Sequence, residues 1–272
     1  MDSYRTSSLF HFTNQKNNLK NILIEGVKPN YAKETLLDKF VVGIPMISMC
    51  DIPISRTKTI QRYGSYAIGF TKEWGFKNGF NPIHYIQGNR FEKSHLNLME
   101  INNYSFNRIN DATREHESQS DFLPQSQSSN ANSFLLFYKI YNLNLTSLAY
   151  SKPYFGVNKE GHPIVNYDEN EWRYITPLQT PNKWLWGIDE YNTWRGNVRK
   201  PKPKSVFEPL KFAVNDLSFI LPQFENQIPD LINFISKLNS LAGEMIDDDE
   251  KKILMSKIIS FENLDCIEFL IA

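Results

Sequence analysis

The chain alternates between two hydrophobic periods, and its opening shows both. Residues 9–13 (LFHFT) form a short apolar and aromatic run that predicts a strand carrying His11. Residues 14–17 are polar and can cap a following helix. Leu19, Ile22 and Leu23 then recur at helical spacing, and Gly26 ends that helix as the residue just past the last turn. Residues 40–54 (FVVGIPMISMCDIPI) are apolar and β-branched but interrupted by prolines, which predicts strand pieces near a sheet edge. A loop or short helical turn is expected over 55–61. Residues 63–71 (YGSYAIGFT) carry the strongest strand pattern, with Tyr66, Ile68 and Phe70 on one face and Ala67 and Gly69 on the other.

Further along, residues 91–100 read as a helix and the polar, low-complexity stretch 118–133 as a loop. An apolar run follows at 134–141, then a turn-rich passage at 156–170. Residues 171–175 read as a strand stopped by Pro177, residues 210–221 as another strand, and 228–241 and 250–260 as helices. No internal repeat is present. Strands and helices in this order predict an α+β fold, with a core over residues 1–222 and a helical C-terminal extension over 223–272 packed on it. Short connections favour one continuous unit.

Composition narrows the class. The 272 residues are 41% hydrophobic and 14% aromatic, enough for a packed core. Thirty basic residues balance thirty acidic ones, so the chain as a whole exerts no electrostatic pull on nucleic acid. The two cysteines, Cys50 and Cys266, are too few for a disulfide framework and wrongly spaced for zinc; reduced thiols are expected. Residues 1–8 lack the apolar stretch of a secretion signal, and no run approaches the roughly 18 apolar residues of a membrane helix. The cytoplasm is the expected compartment.

Several chemistries lack their motifs: the phosphate loop, the dinucleotide-binding glycine fingerprint and the nucleophile elbow. His84 and His95 have no helical i, i+4 partner for zinc. What remains is a scattered set. His11, between two aromatics and beside Thr13, can exchange hydrogen bonds with a ribose or a carboxamide, or can be an ordinary core histidine. Glu169 and Glu171 lie one residue apart and would share a face of a strand. Such a pair can stabilise a cation and orient an acceptor, or can be a surface ion-pair strand with Arg173. Arg56 and Arg173 suit phosphate oxygens, or surface salt bridges. The basic run 195–204, near Trp184, Trp186 and Trp194, can contact nucleic acid or be a solvated, proline-stiffened loop.

Residues 10–26 (FHFTNQKNNLKNILIEG) resemble the opening of DarT-like ADP-ribosyltransferases. A wider set resembles the AbiGi family of abortive-infection proteins: Phe10-His11-Phe12-Thr13, Ile44-Pro45-Met46, Cys50-Asp51-Ile52-Pro53, Tyr63-Gly64-Ser65-Tyr66, Lys72-Glu73-Trp74-Gly75, Asn81-Pro82 and Glu171-Trp172-Arg173-Tyr174, over roughly residues 9–220. The first resemblance implies a split, mainly antiparallel sheet with NAD as substrate. On it, His11 and Thr13 hold the NAD end and either Tyr63 or Tyr66 stacks the nicotinamide, and the guanidinium of Arg56 or Arg173 suits the pyrophosphate. Glu171 then stabilises the ribose cation and Glu169 serves the acceptor side. The acceptor, a protein or a nucleic acid, stays open. The second resemblance implies an antitoxin with a toxin or phage partner, a label that supplies no mechanism.

Overall fold

The computed structural model describes residues 6–36, 40–56, 63–87, 127–157, 161–176, 185–197 and 207–268, with scattered positions between 93 and 111. Strand β1 (Ser8–Thr13) leads into helix α1 (Lys16–Glu25), then β2 (Asn30–Leu36), β3 (Phe40–Cys50), β4 (Tyr66–Thr71) and the short helix α2 (Lys72–Lys77). The short strands β5 (Asn81–Pro82) and β6 (His84–Ile86) precede the long helix α3 (Gln127–Ala149). Next come β7 (Ser151–Pro153), β8 (Phe155–Val157), β9 (Pro163–Val165), β10 (Glu171–Ile175), β11 (Leu185–Trp186) and α4 (Gly187–Asn197). The described chain ends with β12 (Leu217–Leu221), α5 (Ile228–Ser236), the hairpin β13 (Ser240–Leu241) and β14 (Glu244–Met245), α6 (Asp248–Ser256) and α7 (Phe261–Glu268). The class is α+β, as expected.

The main sheet runs β12-β4-β1-β3-β10-β5, with β2 and β11 also paired to β3, and every pairing in it is antiparallel. Its centre corrects the expectation of broken edge strands over residues 40–54. β3 is one continuous strand with neighbours on both sides. It tolerates Pro45 because the Pro45 carbonyl accepts from the Thr176 N–H (3.1 Å), so the proline's missing donor faces the side where β10 has just ended. No bond to β2 is lost.

Both faces of the sheet are covered. On one, Leu9, Ile47, Met49, Tyr66, Ile68 and Phe70 pack with Leu19 and Leu23 of α1, Trp74 of α2, Leu231 and Ile235 of α5 and Leu254 of α6. The last three place the C-terminal helices in the same core as the sheet. On the other face, Phe10, Cys50 and Ala67 meet Phe261 and Leu264 of α7. Val42, Ile44 and Met46 meet Leu145, Leu148 and Ala149 of α3. The alternation in β4 therefore holds as read.

Local differences have local causes. Residues 127–133, expected in a loop, begin α3, whose apolar positions further on are drawn onto β3; the preceding residues 118–126 lie outside the description. The strand expected over 210–221 is confined to 217–221, because Val214–Asp216 forms a tight turn closed by Asp216 accepting from the Ala213 N–H at 2.8 Å. Tyr63 falls outside β4. Gly26 does end α1, with φ +97°, and a Cβ there would lie 2.6 Å from the Leu210 carbonyl oxygen.

Candidate functional site

The sheet parts along β3. β1 and β2 lie on the same side of that strand, β1 paired only at Phe10↔Cys50 and β2 from Asn30↔Met46 onward. Between those rungs the Ser48 carbonyl points into the gap, and His11 Nδ1 bonds it at 3.0 Å. A carbonyl only accepts, so Nδ1 carries the proton. Burial lowers the imidazole's proton affinity, against the opposing effect of the Ser48 bond. The ring is therefore neutral near pH 7, and Nε2 is left as an acceptor.

Across Ser48, on the face between the α3 and α7 patches, lies a buried ionic cluster. β10 places Glu171 opposite Cys50 and Arg173 opposite Ser48. Arg173, fully buried, donates from Nε to Glu171 Oε1 (2.7 Å) and from Nη2 to Glu171 Oε2 (3.2 Å) and Glu34 Oε1 (3.0 Å). Its Nη1 donates to the Ala149 carbonyl at the end of α3 (2.6 Å), where a guanidinium also answers the helix dipole. Lys152 of β7 donates to Glu169 Oε2 at 2.8 Å and Glu171 Oε2 at 3.1 Å. Tyr63 donates its hydroxyl to Glu169 Oε1, and the Glu171 N–H donates to the Tyr85 hydroxyl at 2.8 Å.

These contacts set the charge states. Burial alone raises the Glu171 carboxyl's proton affinity. The charges of Arg173 and Lys152, with the hydrogen bonds from Arg173, outweigh it and hold the group well below the carboxylate range. Burial opposes the charge on Lys152, but Glu171 and Glu169 keep it protonated. Burial pushes the Tyr85 phenol up, so it stays neutral.

The structure brings Tyr63, Glu169 and Glu171 into one ionic network, while His11, on the opposite sheet face with Leu9 and Ile68, reaches the Ser48 carbonyl beside it. Glu169 and Glu171 do not share a strand face, as the spacing suggested. Glu169 ends a 3-10 turn (Asn166–Glu169), Asn170 is left-handed with φ 42°, and only Glu171 is on β10. The same residue in a regular strand would keep the carboxylates in a row; the turn swings Glu169 back onto Lys152. Glu171 and Arg173 are an ion pair, but a buried one rather than the surface pair that was the alternative. Tyr66 belongs to the core, its hydroxyl accepting from Gln227 Nε2 at 3.0 Å. Thr13 pairs with Tyr66 at the end of β1, and its backbone seats Gly64, where a Cβ would lie 2.4 Å from the Thr13 oxygen. Arg56 is exposed in the turn after β3.

Lys152, Tyr85, Ser48 and Glu34 were missed. Each joins the site through long-range pairing, and none sits in a spacing that carries chemistry. Trp194 packs edge-on against Tyr31 at 4.8 Å; Trp184 and residues 198–204 of the basic run lie outside the described residues. A separate cleft of about 430 Å³ between α1 and α5, lined by Lys20, Ile24, Asp230 and Phe234 among others, shares no residue with the cluster. Among the described residues no three His, Cys, Asp or Glu side chains are grouped to hold a metal ion. No helix among them is long and apolar enough to cross a membrane.

Residues 19–223 match the model of a family described as "Putative abortive phage resistance protein AbiGi, antitoxin". The chain belongs to the AbiGi family. An abortive phage resistance protein AbiGi of Lactococcus lactis subsp. cremoris is 25% identical over 233 residues, covering 81% of this chain and 87% of the relative. The AbiGi match spans β3, β4 and β10, the strands that carry Ser48, Tyr66 and the Glu171–Arg173 pair. No solved structure matches the chain.

Proposed function

We propose that this AbiGi chain defends a bacterium against phage by transferring ADP-ribose from NAD at the Ser48 gap. The observation that carries the reading is the shared residue. The Ser48 carbonyl takes the bond from His11 Nδ1 on one face of the sheet, and on the other face, beside the same residue, Arg173 and Lys152 hold Glu171 as a buried, ionised carboxylate.

The chemistry follows from those groups. Loss of nicotinamide breaks the bond from ribose C1′ to the ring nitrogen, and positive charge grows on the ribose. A carboxylate kept ionised in a water-poor site stabilises that charge without reorganising. Glu171 is such a group, and Arg173 fixes its orientation through both oxygens. His11 Nε2 can accept from a ribose hydroxyl. In this reading Tyr63, beside Glu169 and partly open to solvent, stacks on the nicotinamide ring. Glu169 faces the acceptor side and can take its proton as the new bond to C1′ forms. Transfer of label from radiolabelled NAD to macromolecules in a cell lysate tests this. Label is expected with the wild type and at least a hundredfold less with Glu171→Gln.

A second reading has its own observation: Arg173 and Lys152 already occupy both Glu171 oxygens. On that reading the cluster is an ionic core and the chain is a non-catalytic antitoxin that binds a cognate toxin or phage component. Specific capture of such a partner, with no NAD turnover in its presence or absence, would favour it.

A further inference from the structure

We infer that the Lys152 ammonium, carried on the β6–β7 ribbon, plugs the Glu169–Glu171 pair, standing where a substrate cation sits once the side chain swings out. This rests on the reading of Glu171 as the carboxylate that faces a ribose cation.

The two strands are three residues each, pair in parallel, and form a sheet of their own apart from the main one. Tyr85 and Lys152 are direct partners in that ribbon. Both reach Glu171, the tyrosine hydroxyl taking its backbone N–H and the ammonium its Oε2. The ribbon itself is tied down: the Ile83 N–H donates to the Glu171 carbonyl at 3.1 Å, the His84 N–H to the Tyr150 carbonyl at 2.7 Å, and Asn166 Nδ2 to the Pro153 carbonyl at 2.9 Å, so the Lys152 side chain is the part that moves. Aromatic contacts add to this, Tyr85 edge-on to Tyr167 at 5.3 Å and Tyr154, next to β7, stacked on Tyr167 at 5.3 Å.

The charge arrangement makes the plug removable. Glu171 keeps Arg173 on both oxygens without Lys152, so it stays ionised. Three carboxylates (Glu34, Glu169, Glu171) face two cations (Lys152, Arg173). Withdrawing the lysine moves the formal sum from −1 to −2 and leaves the space between Glu169 and Glu171 ready for a positive charge. Lys152 has a route out: its side chain is 18% exposed, and Tyr63 at the same edge is 40% exposed. A long flexible stem can carry the ammonium to solvent.

The test uses protonated 3,4-dihydroxypyrrolidine, a stable cation shaped like the ribosyl cation, titrated calorimetrically into the full chain. Lys152→Met, which keeps the stem, should bind it at least tenfold more tightly than the wild type or Lys152→Arg. NAD consumption by the Met variant should rise at least fivefold. Equal binding by all three proteins, or binding by none, overturns the plug. Tighter binding without NAD consumption by any of them keeps the plug and removes the transfer chemistry. If the Met variant does not fold, the wild type suffices. Saturating probe should raise acetylation of Lys152 by an N-hydroxysuccinimide ester at least threefold, read by peptide mass spectrometry, and unchanged labelling overturns the proposal.

Discussion

Arg173 shows how one side chain can hold several elements. It ties β10 to β2 through Glu34 and to α3 through the Ala149 carbonyl, while fixing Glu171 beside it. Removing one partner of a buried pair leaves the other's charge uncompensated, which costs about 3–5 kcal/mol. Arg173→Ala is therefore expected to lose about that much in urea unfolding. A loss under about 1 kcal/mol would show that water reaches the cluster freely. Acid should act through two other residues. His11 has a lowered folded pKa, so the unfolded chain binds more protons below the ordinary histidine value of about 6.5, and stability falls as pH drops through that value. Glu171 is also lowered, and its contribution, present above the ordinary glutamate value of 4.5, is lost as pH falls further. Thermal melts should show both declines in the wild type, and His11→Asn should lack the first. A melting temperature flat from pH 7 to 5 in the wild type would contradict the buried, neutral imidazole.

Elements were legible where their hydrophobic period was local and hidden where pairing decided them. Gly26 marks the end of α1, and β4 and β10 follow their alternation, because each residue's environment is set by its own strand or helix. β3 was not legible, since whether Pro45 breaks a strand depends on which neighbour its missing N–H would face. Residues 127–133 were hidden too, as polar composition outweighs helix period until α3 packs on β3. The site divides the same way. His11 and Glu171 stood out by residue type and order, but Lys152 reaches Glu171 from a three-residue strand with no motif around it. Gly64 gives an element-scale test: Gly64→Ala drives a Cβ into the Thr13 backbone, which cannot yield as a side-chain tip can. The expected cost is about 1–3 kcal/mol, with loss of the Tyr63–Glu169 contact. A fully stable variant would show that this turn seats differently. At the C-terminal end, Asp247 caps α6 by accepting from the Glu250 N–H at 2.8 Å, and Asp247→Ala should cost about 1 kcal/mol in denaturant unfolding.

For the whole molecule, the sheet supplies the site and the C-terminal helices supply much of its backing. Leu231, Ile235 and Leu254 are fully buried in the same cluster as Leu9 and Ile68. A chain truncated after residue 222 exposes that face of the sheet and should lose cooperative melting; a truncated core that melts cooperatively would make residues 223–272 a separable unit. AbiGi membership places the chain among abortive phage resistance proteins, and the gap at Ser48 is where we locate its chemistry. The most direct measurement is NAD consumption by the purified chain, wild type and Glu171→Gln side by side, with and without cell lysate, after melts confirm that both are folded. Turnover by the wild type that falls at least a hundredfold in the variant is the predicted result. Turnover unchanged by the substitution, or none under any condition, would contradict transfer at this site and leave the ionic cluster as part of a binding scaffold.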